Sequence, residues 1–155
     1  RRQRQMCIRD RPSTITRLQN MGTPDYLISA ACQLVLAQRL ARRTCKDCRV
    51  PDDDVNPKVL QDLGFSAEQA SRAKAFKGKG CPKCKDTGYK GRQGIYEILV
   101  VSKPLKEAIL RQATTPELRE IAVKEGFQTM QDMGRRLISS GDLNFREYER
   151  VLTSE

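Results

Sequence analysis

Four cysteines stand in two C-x2-C pairs, Cys45-Lys46-Asp47-Cys48 and Cys81-Pro82-Lys83-Cys84, with 32 residues between them. Each pair forms a short knuckle that presents two sulfurs to one ion, and four thiolates suit the tetrahedral preference of Zn²⁺. Two other chemistries use the same residues. A disulfide pair belongs to an oxidising compartment, and two redox CxxC motifs in one chain are unusual. With four sulfurs around the ion no position is left for water, so the expected role is structural: a cross-link that closes the long excursion between the knuckles. Cys32, within the apolar run SAACQLVL, reads as a core thiol, and Cys7 lies in the basic amino end.

The chain contains no histidine. That removes Ser-His and Cys-His nucleophile pairs, HExxH metalloproteases and any imidazole base, and leaves thiolates and carboxylates as the possible metal ligands. The formal charge of +10 suggests an anionic partner, nucleic acid or a membrane surface. Five arginines and Asp10 within residues 1–11 supply +4 of it, and a four-thiolate zinc site takes away about 2 more, so the body of the chain is only mildly basic.

The elements that must hold the cysteines are thinly provided with apolar side chains. Leu, Ile, Val and Phe make up about 22% of the 155 residues, just above the ~20% below which a charged chain stays unfolded, so a second stabiliser is expected. Ile15, Leu18 and Met21 predict a helix stopped at Gly22, and Thr23-Pro24-Asp25 predicts the cap and first turn of another, running to about Leu34. VLAQRLARRT fits either a strand into Cys45 or a continued helix. Between the knuckles, Asn56-Pro57 opens a short helix closed by Gly64, and Ser66 with Gln69 can form a capping box. Ile95 to Val101 has strong β propensity. Three helices are then expected at Pro104 to Gln112, Pro116 to Glu125 and Met130 to Ser140. Asn144 and Glu147 open a last one, and the apolar side chains of all four should form one small helical core on the strand. The fold class is α+β, mostly helical. Ile28 to Ala41 is interrupted by Gln33, Gln38 and Arg39 and falls short of the ~18 residues of a membrane span, and RRQRQMCIRDR has no apolar core after it, so a cytoplasmic protein is expected.

PSTITRLQNMG, LVLAQRLARRTCKDC and GCPKCKDTGYKGRQGIYEILVVS together resemble the carboxyl-terminal part of the type IV pilus assembly and type II secretion ATPases, the PilB/GspE family, from Pro12 to about Leu152. The resemblance implies a hexameric ATPase, peripheral at the bacterial inner membrane through a platform protein, that uses ATP and Mg²⁺. It implies a division into a foreign or disordered leader at 1–11, the end of a RecA-like ATPase domain at 12–44, a zinc-binding insertion at 45–92 and a strand with a carboxyl-terminal helical region at 93–155. It also implies that AQRLARR and GIYEILV pair as strands. FKGKGCPKC favours the pilus branch. The GxxxxGK[ST] loop that cradles triphosphates, and the acidic strand end that holds Mg²⁺, do not occur in these residues. No catalytic or nucleotide-binding residue is therefore expected here, and the chain by itself should be inactive as an ATPase.

Two further readings compete. A free zinc ribbon could grip nucleic acid with Arg39, Arg42, Arg43, Lys74, Lys77 and Lys79, but 5% aromatic content without Trp offers few stacking platforms, and the bland alternative is an ion-paired edge. CPKCKDTGY is also similar to the CxxCxGxG repeats of DnaJ-like co-chaperones, a class that needs four knuckles. Lys90 and Arg92 either contact a neighbouring subunit or platform protein, or simply lie in a turn that Gly88, Gly91 and Gly94 allow.

Overall fold

The computed structural model describes residues 11–153. Cys7 and the rest of residues 1–10, most of the expected leader, lie outside them. Two long strands, β1 (Leu34–Thr44) and β4 (Tyr89–Val100), pair with each other. Their ladder is bracketed by Val101 N–H on the Gln33 carbonyl and Cys45 N–H on the Gly88 carbonyl, both 2.9 Å, so the strands run antiparallel. The strand alternative for VLAQRLARRT is the correct one, and β4 starts six residues before Ile95. The strands are eleven and twelve residues long, beyond the seven each of AQRLARR and GIYEILV. Between the bracketing bonds β4 carries one residue more than β1, and Gly91, at φ 77°, has the backbone to take it up as a bulge.

The chain divides into two compact units. Residues 11–37 and Tyr96–Thr129 form the first. Here α1 (Arg11–Asn20), α2 (Asp25–Ala31), α5 (Lys103–Leu110) and α6 (Thr115–Lys124) pack in a ring, α2 on α5, α5 on α6 and α6 on α1. Ile15, Leu105, Ile109 and Leu118 are fully buried there with Ile28, Leu99 and Val101. Arg11 lies inside α1, and its guanidinium holds buried Glu97 at 3.0 Å. Pro24, not Thr23, occupies the cap position of α2, and the Asp25 carboxylate accepts from the side-chain amides of Gln19 and Gln112. Along the opposite side of the strands, Leu34, Leu36, Tyr96, Ile98 and Val100 are exposed at alternate positions.

Gln38–Ile95 and residues 130–153 form the second unit. Between the knuckles lie β2 (Arg49–Pro51), α3 (Pro57–Asp62), α4 (Ala67–Arg72) and β3 (Phe76–Gly78), with β2 and β3 antiparallel in the register Arg49 to Gly78. Asn56 caps α3 through Val59 N–H, and Ser66 and Gln69 close the capping box of α4. After them come α7 (Met130–Ser139) and α8 (Phe145–Tyr148), the latter continued by a wide turn at Glu149–Thr153.

The trailing helices therefore do not share one core, because α5 and α6 belong to the first unit and α7 and α8 to the second. Met133 and Leu137, the apolar side chains at helical spacing in α7, are only half-buried. The buried stripe of the helix is Met130, Gly134 and Ile138. A Cβ at Gly134 would stand 2.5 Å from the Tyr148 ring and 2.6 Å from Leu152, so the missing side chain is what lets α8 approach, and apolar periodicity gives glycine no credit for that.

Candidate metal centre

The first knuckle leaves β1 at Cys45 and enters β2 after Cys48; the second follows β3, turns through a short 3₁₀ segment at Pro82–Cys84 and runs into β4. Two backbone bonds set them face to face: Cys45 N–H to the Gly88 carbonyl at 2.9 Å and Lys79 N–H to the Cys48 carbonyl at 3.0 Å. The approach is tight enough to exclude side chains. A Cβ on Gly78 would fall 2.2 Å from the Gly88 carbonyl oxygen, and one on Gly88, at φ 74°, 2.6 Å from that of Gly78.

All four sulfurs, those of Cys45, Cys48, Cys81 and Cys84, gather within 4.8 Å of one another. Cys45 to Cys81 is 3.9 Å, Cys48 to Cys84 is 3.8 Å and Cys81 to Cys84 is 3.6 Å. A tetrahedron with metal–sulfur bonds of ~2.3 Å has edges of about 3.8 Å, whereas a disulfide needs ~2.05 Å. The cluster fits a tetrahedral ion and no disulfide.

Burial pushes the Cys48 thiol up to about 12. Burial also opposes ionisation of Cys84, but backbone N–H groups of Cys81 and Gly88 outweigh it and draw that thiol down to about 7. The Cys81 N–H lies 3.2 Å from its sulfur. Cys81 is shifted upward, again with burial as the largest cause. Four thiolates at this spacing repel one another, and a divalent cation is what makes their joint ionisation favourable.

Around the sulfurs stand residues that cysteine spacing alone does not single out. Asp47 accepts from Lys83 Nζ at 2.7 Å and has Lys90 Nζ at 3.8 Å, while its other carboxylate oxygen lies 3.9 Å from the Cys45 sulfur. The hydrogen bond from Lys83 is the largest influence on the Asp47 carboxyl and holds its pKa below the ordinary value.

Where β1 and β4 leave the knuckles, the Arg42 guanidinium stacks 4.1 Å over the Tyr89 ring, and the Tyr89 hydroxyl accepts from the Asn144 amide at 2.8 Å. Arg42 in turn donates to fully buried Glu147 from its backbone N–H at 2.7 Å and from Nε and Nη2 at 3.0 and 2.7 Å; Arg150 Nε adds another bond at 3.0 Å. Burial would raise the Glu147 carboxyl, yet the bonds from Arg150 and Arg42 prevail and bring it to about 2. Glu147 was expected near a helix cap; Asn144 alone caps α8, through Glu147 N–H, and the Glu147 carboxylate serves the arginines.

Several of the cations considered for nucleic acid are engaged as an ion-paired edge, Arg42 on Glu147, Arg43 on Asp142 at 2.7 Å and Lys77 between Asp52 and Asp54 at 2.7 and 2.8 Å, and Arg39 donates to the Val151 carbonyl. Cys32 is half-buried against the first unit's core, apart from the four clustered thiols. Among the described residues no helix is long and apolar enough to cross a membrane.

The type II/IV secretion system protein family matches residues 8–150, a match that begins inside the segment 1–11. Over 138 residues the chain is 36% identical to the type IV pilus assembly ATPase PilB of Myxococcus xanthus, covering 89% of this chain and 24% of that protein. It is 42% identical over 125 residues to PilB of Thermus thermophilus, covering 81% and 14%. With the type II secretion system ATPase E of Vibrio cholerae it shares 35% over 136 residues, covering 78% and 26%. The chain thus spans about a quarter or less of the length of these curated relatives.

Proposed function

Because this chain belongs to the type II/IV secretion system protein family, we propose that it is the carboxyl-terminal part of a hexameric ATPase that powers type IV pilus assembly or, in the other branch of the family, type II protein secretion. In this reading ATP and Mg²⁺ are bound by other parts of the parent, which sits in the cytoplasm at the inner membrane on a platform protein. Residues 12–44 end a RecA-like domain, 45–92 form the zinc insertion and 93–155 the carboxyl-terminal region. The exposed apolar side chains of Leu34, Leu36, Tyr96, Ile98 and Val100 are the surface this reading assigns to the rest of the ATPase.

Cys45, Cys48, Cys81 and Cys84 hold one Zn²⁺, which supplies a structural cross-link and, with four sulfur ligands, has no open position for catalysis. The observation that carries the proposal is the coincidence of two things: a family match that runs through both knuckles, and four sulfurs within 4.8 Å of one another, three of whose separations are the edge lengths of a tetrahedral thiolate site. The nucleic-acid reading is weakened by the carboxylate partners of Arg42, Arg43 and Lys77. It would need a steep log–log salt dependence of DNA binding, and a flat one is expected.

Metal analysis of chain purified under reducing conditions should return close to one zinc per chain, and calorimetry should show no ATP binding. Iron or no metal would overturn the structural-zinc assignment. Micromolar ATP affinity would overturn the placement of the nucleotide site elsewhere in the parent.

A further inference from the structure

Residues 140–147, which leave α7 and enter α8, are tied at several points to the roots of the two knuckles. Arg49, the residue after Cys48, donates from Nη1 to the Ser140 carbonyl at 3.1 Å. Arg43, two residues before Cys45, holds the Asp142 carboxylate at 2.7 Å, and Arg42 holds the buried Glu147 carboxylate, also at 2.7 Å. Tyr89, directly after Gly88, accepts from the Asn144 side chain at 2.8 Å. Consecutive peptide groups at the end of β1 divide their bonds between the two places: Thr44 N–H goes to the Asp142 carbonyl and Cys45 N–H to the Gly88 carbonyl, both at 2.9 Å. A Cβ at Gly141 would stand 2.8 Å from the Phe76 ring, so the segment also lies against β3, which leads into the second knuckle.

We propose that docking of residues 140–147 is coupled to occupancy of the metal centre: with the ion bound the knuckle roots are fixed in one arrangement and hold the segment, and without it they let the segment go. The inference rests on the metal reading above. It is carried by placement, because Arg42, Arg43, Thr44, Arg49 and Tyr89 each stand within five positions of a clustered cysteine, and a shift of the knuckles is passed to all their ties at once. The body of α7 has other contacts, Tyr148 and Leu152 against Gly134, so the loosening stops short of it. Coupling of this kind is reciprocal. Whatever factor the ion adds to docking of the segment, docking adds to affinity for the ion.

The test is amide hydrogen exchange of the full chain, zinc-loaded and after removal of zinc by a chelator under reducing conditions, with zinc affinity measured by competition against a chromogenic chelator. Removing zinc should speed exchange at 142–148 about tenfold, while α5, α6 and residues 130–138 keep their protection. Arg42→Met, which changes no cysteine, should loosen the segment in the zinc-loaded chain and weaken zinc binding about five- to tenfold. Tyr89→Phe, which removes a single bond, should do both by about two- to threefold, and it carries the comparison should Arg42→Met not fold. Ser66→Ala, which removes the cap of α4, should leave zinc affinity at the wild-type value. Exchange at 142–148 that ignores zinc, or an equal loss of protection over 130–138, would overturn the latch. Wild-type zinc affinity in both Arg42→Met and Tyr89→Phe, or a weakening by Ser66→Ala as large as theirs, would overturn the coupling. Wild-type chain that takes up no zinc would overturn the metal reading itself, an outcome distinct from a loaded chain whose segment does not respond.

Discussion

In the first unit Ile15, Leu105, Ile109 and Leu118 are wholly buried against one another, whereas the 32 residues between the knuckles bury only Leu60, Phe65, Ala70 and Ala75 among their described apolar side chains. The two regions belong to one chain but are held by different means. One is stabilised by transfer of many side chains from water, each worth ~1.5 to 3 kcal/mol when fully buried. The other is held by a few strong constraints: two knuckles, two short strands, two capped helical turns and the carboxylates around Lys77. By this contrast a metal ion would be useful in one place and idle in the other. A cross-link that closes a long, sparsely apolar excursion removes many unfolded conformations, and a dense core gains little from one.

The largest expected effect breaks the contrast from the metal side. Changing Cys45 and Cys81 together to Ser should abolish zinc uptake and make residues 49–80 the first site of protease cleavage, while hydrogen-exchange protection of α5 and α6 persists. Loss of protection in α5 and α6 to the same degree would mean that the two regions are not held separately. Next in size is Leu118→Ala, which leaves a cavity in the first unit and should cost ~2 to 5 kcal/mol, enough to lower soluble yield sharply. Its control, Lys124→Ala on the exposed side of α6, should stay within about 0.5 kcal/mol; equal behaviour of the two would mean that the helices do not pack as a core.

A smaller effect sharpens the description of the second unit. Glu147→Gln should destabilise it by about 1 to 3 kcal/mol at neutral pH, since it strips charge from a buried, multiply bonded carboxylate. The Glu147 carboxyl is lowered from its ordinary 4.5 to about 2, so its contribution is present in full above about 4.5 and is lost as pH falls toward 2. The gap in melting temperature between variant and wild type should close over that window, loss of metal being common to both; a constant gap would mean that the charge is not what matters. The smallest effect is Asn56→Ala, which removes the cap of α3 at a cost of ~1 kcal/mol, visible as faster amide exchange at 57–62 alone.

Local signals carried the sequence reading furthest. The C-x2-C spacing and the Asn56 and Ser66 caps depend on a few neighbouring residues, and the structure gathers the four cysteines and forms both caps. What could not be read depends on distant partners. The arginines of β1 looked like a solvated or ion-paired edge, and nothing near them named Glu147, 105 residues on, as the acceptor of Arg42. The burial of Gly134 is set by Tyr148 across a helix contact. Gly88 reads as a turn residue on its own, and the need for hydrogen side chains at Gly78 and Gly88 arises only when two backbones meet. At the centre itself the gathering of the four cysteines was legible from spacing, but the bridge between Asp47 and Lys83 was not, because it exists only once the knuckles face each other.

The extra residue of β4 between the two bracketing bonds gives the strand a parity as well as a length. A strand sorts its side chains by odd and even position, so one inserted residue reverses the sorting for everything beyond it. Tyr89, whose ring lies under Arg42, stands on the knuckle side of Gly91, and the buried Ile95, Glu97 and Leu99 stand beyond it. Deleting Gly91 would leave the composition of the strand almost untouched and still shift by one the count that sets Tyr89 against those residues. The contact of Arg42 with Tyr89 is expected to be lost by that deletion although neither residue is changed.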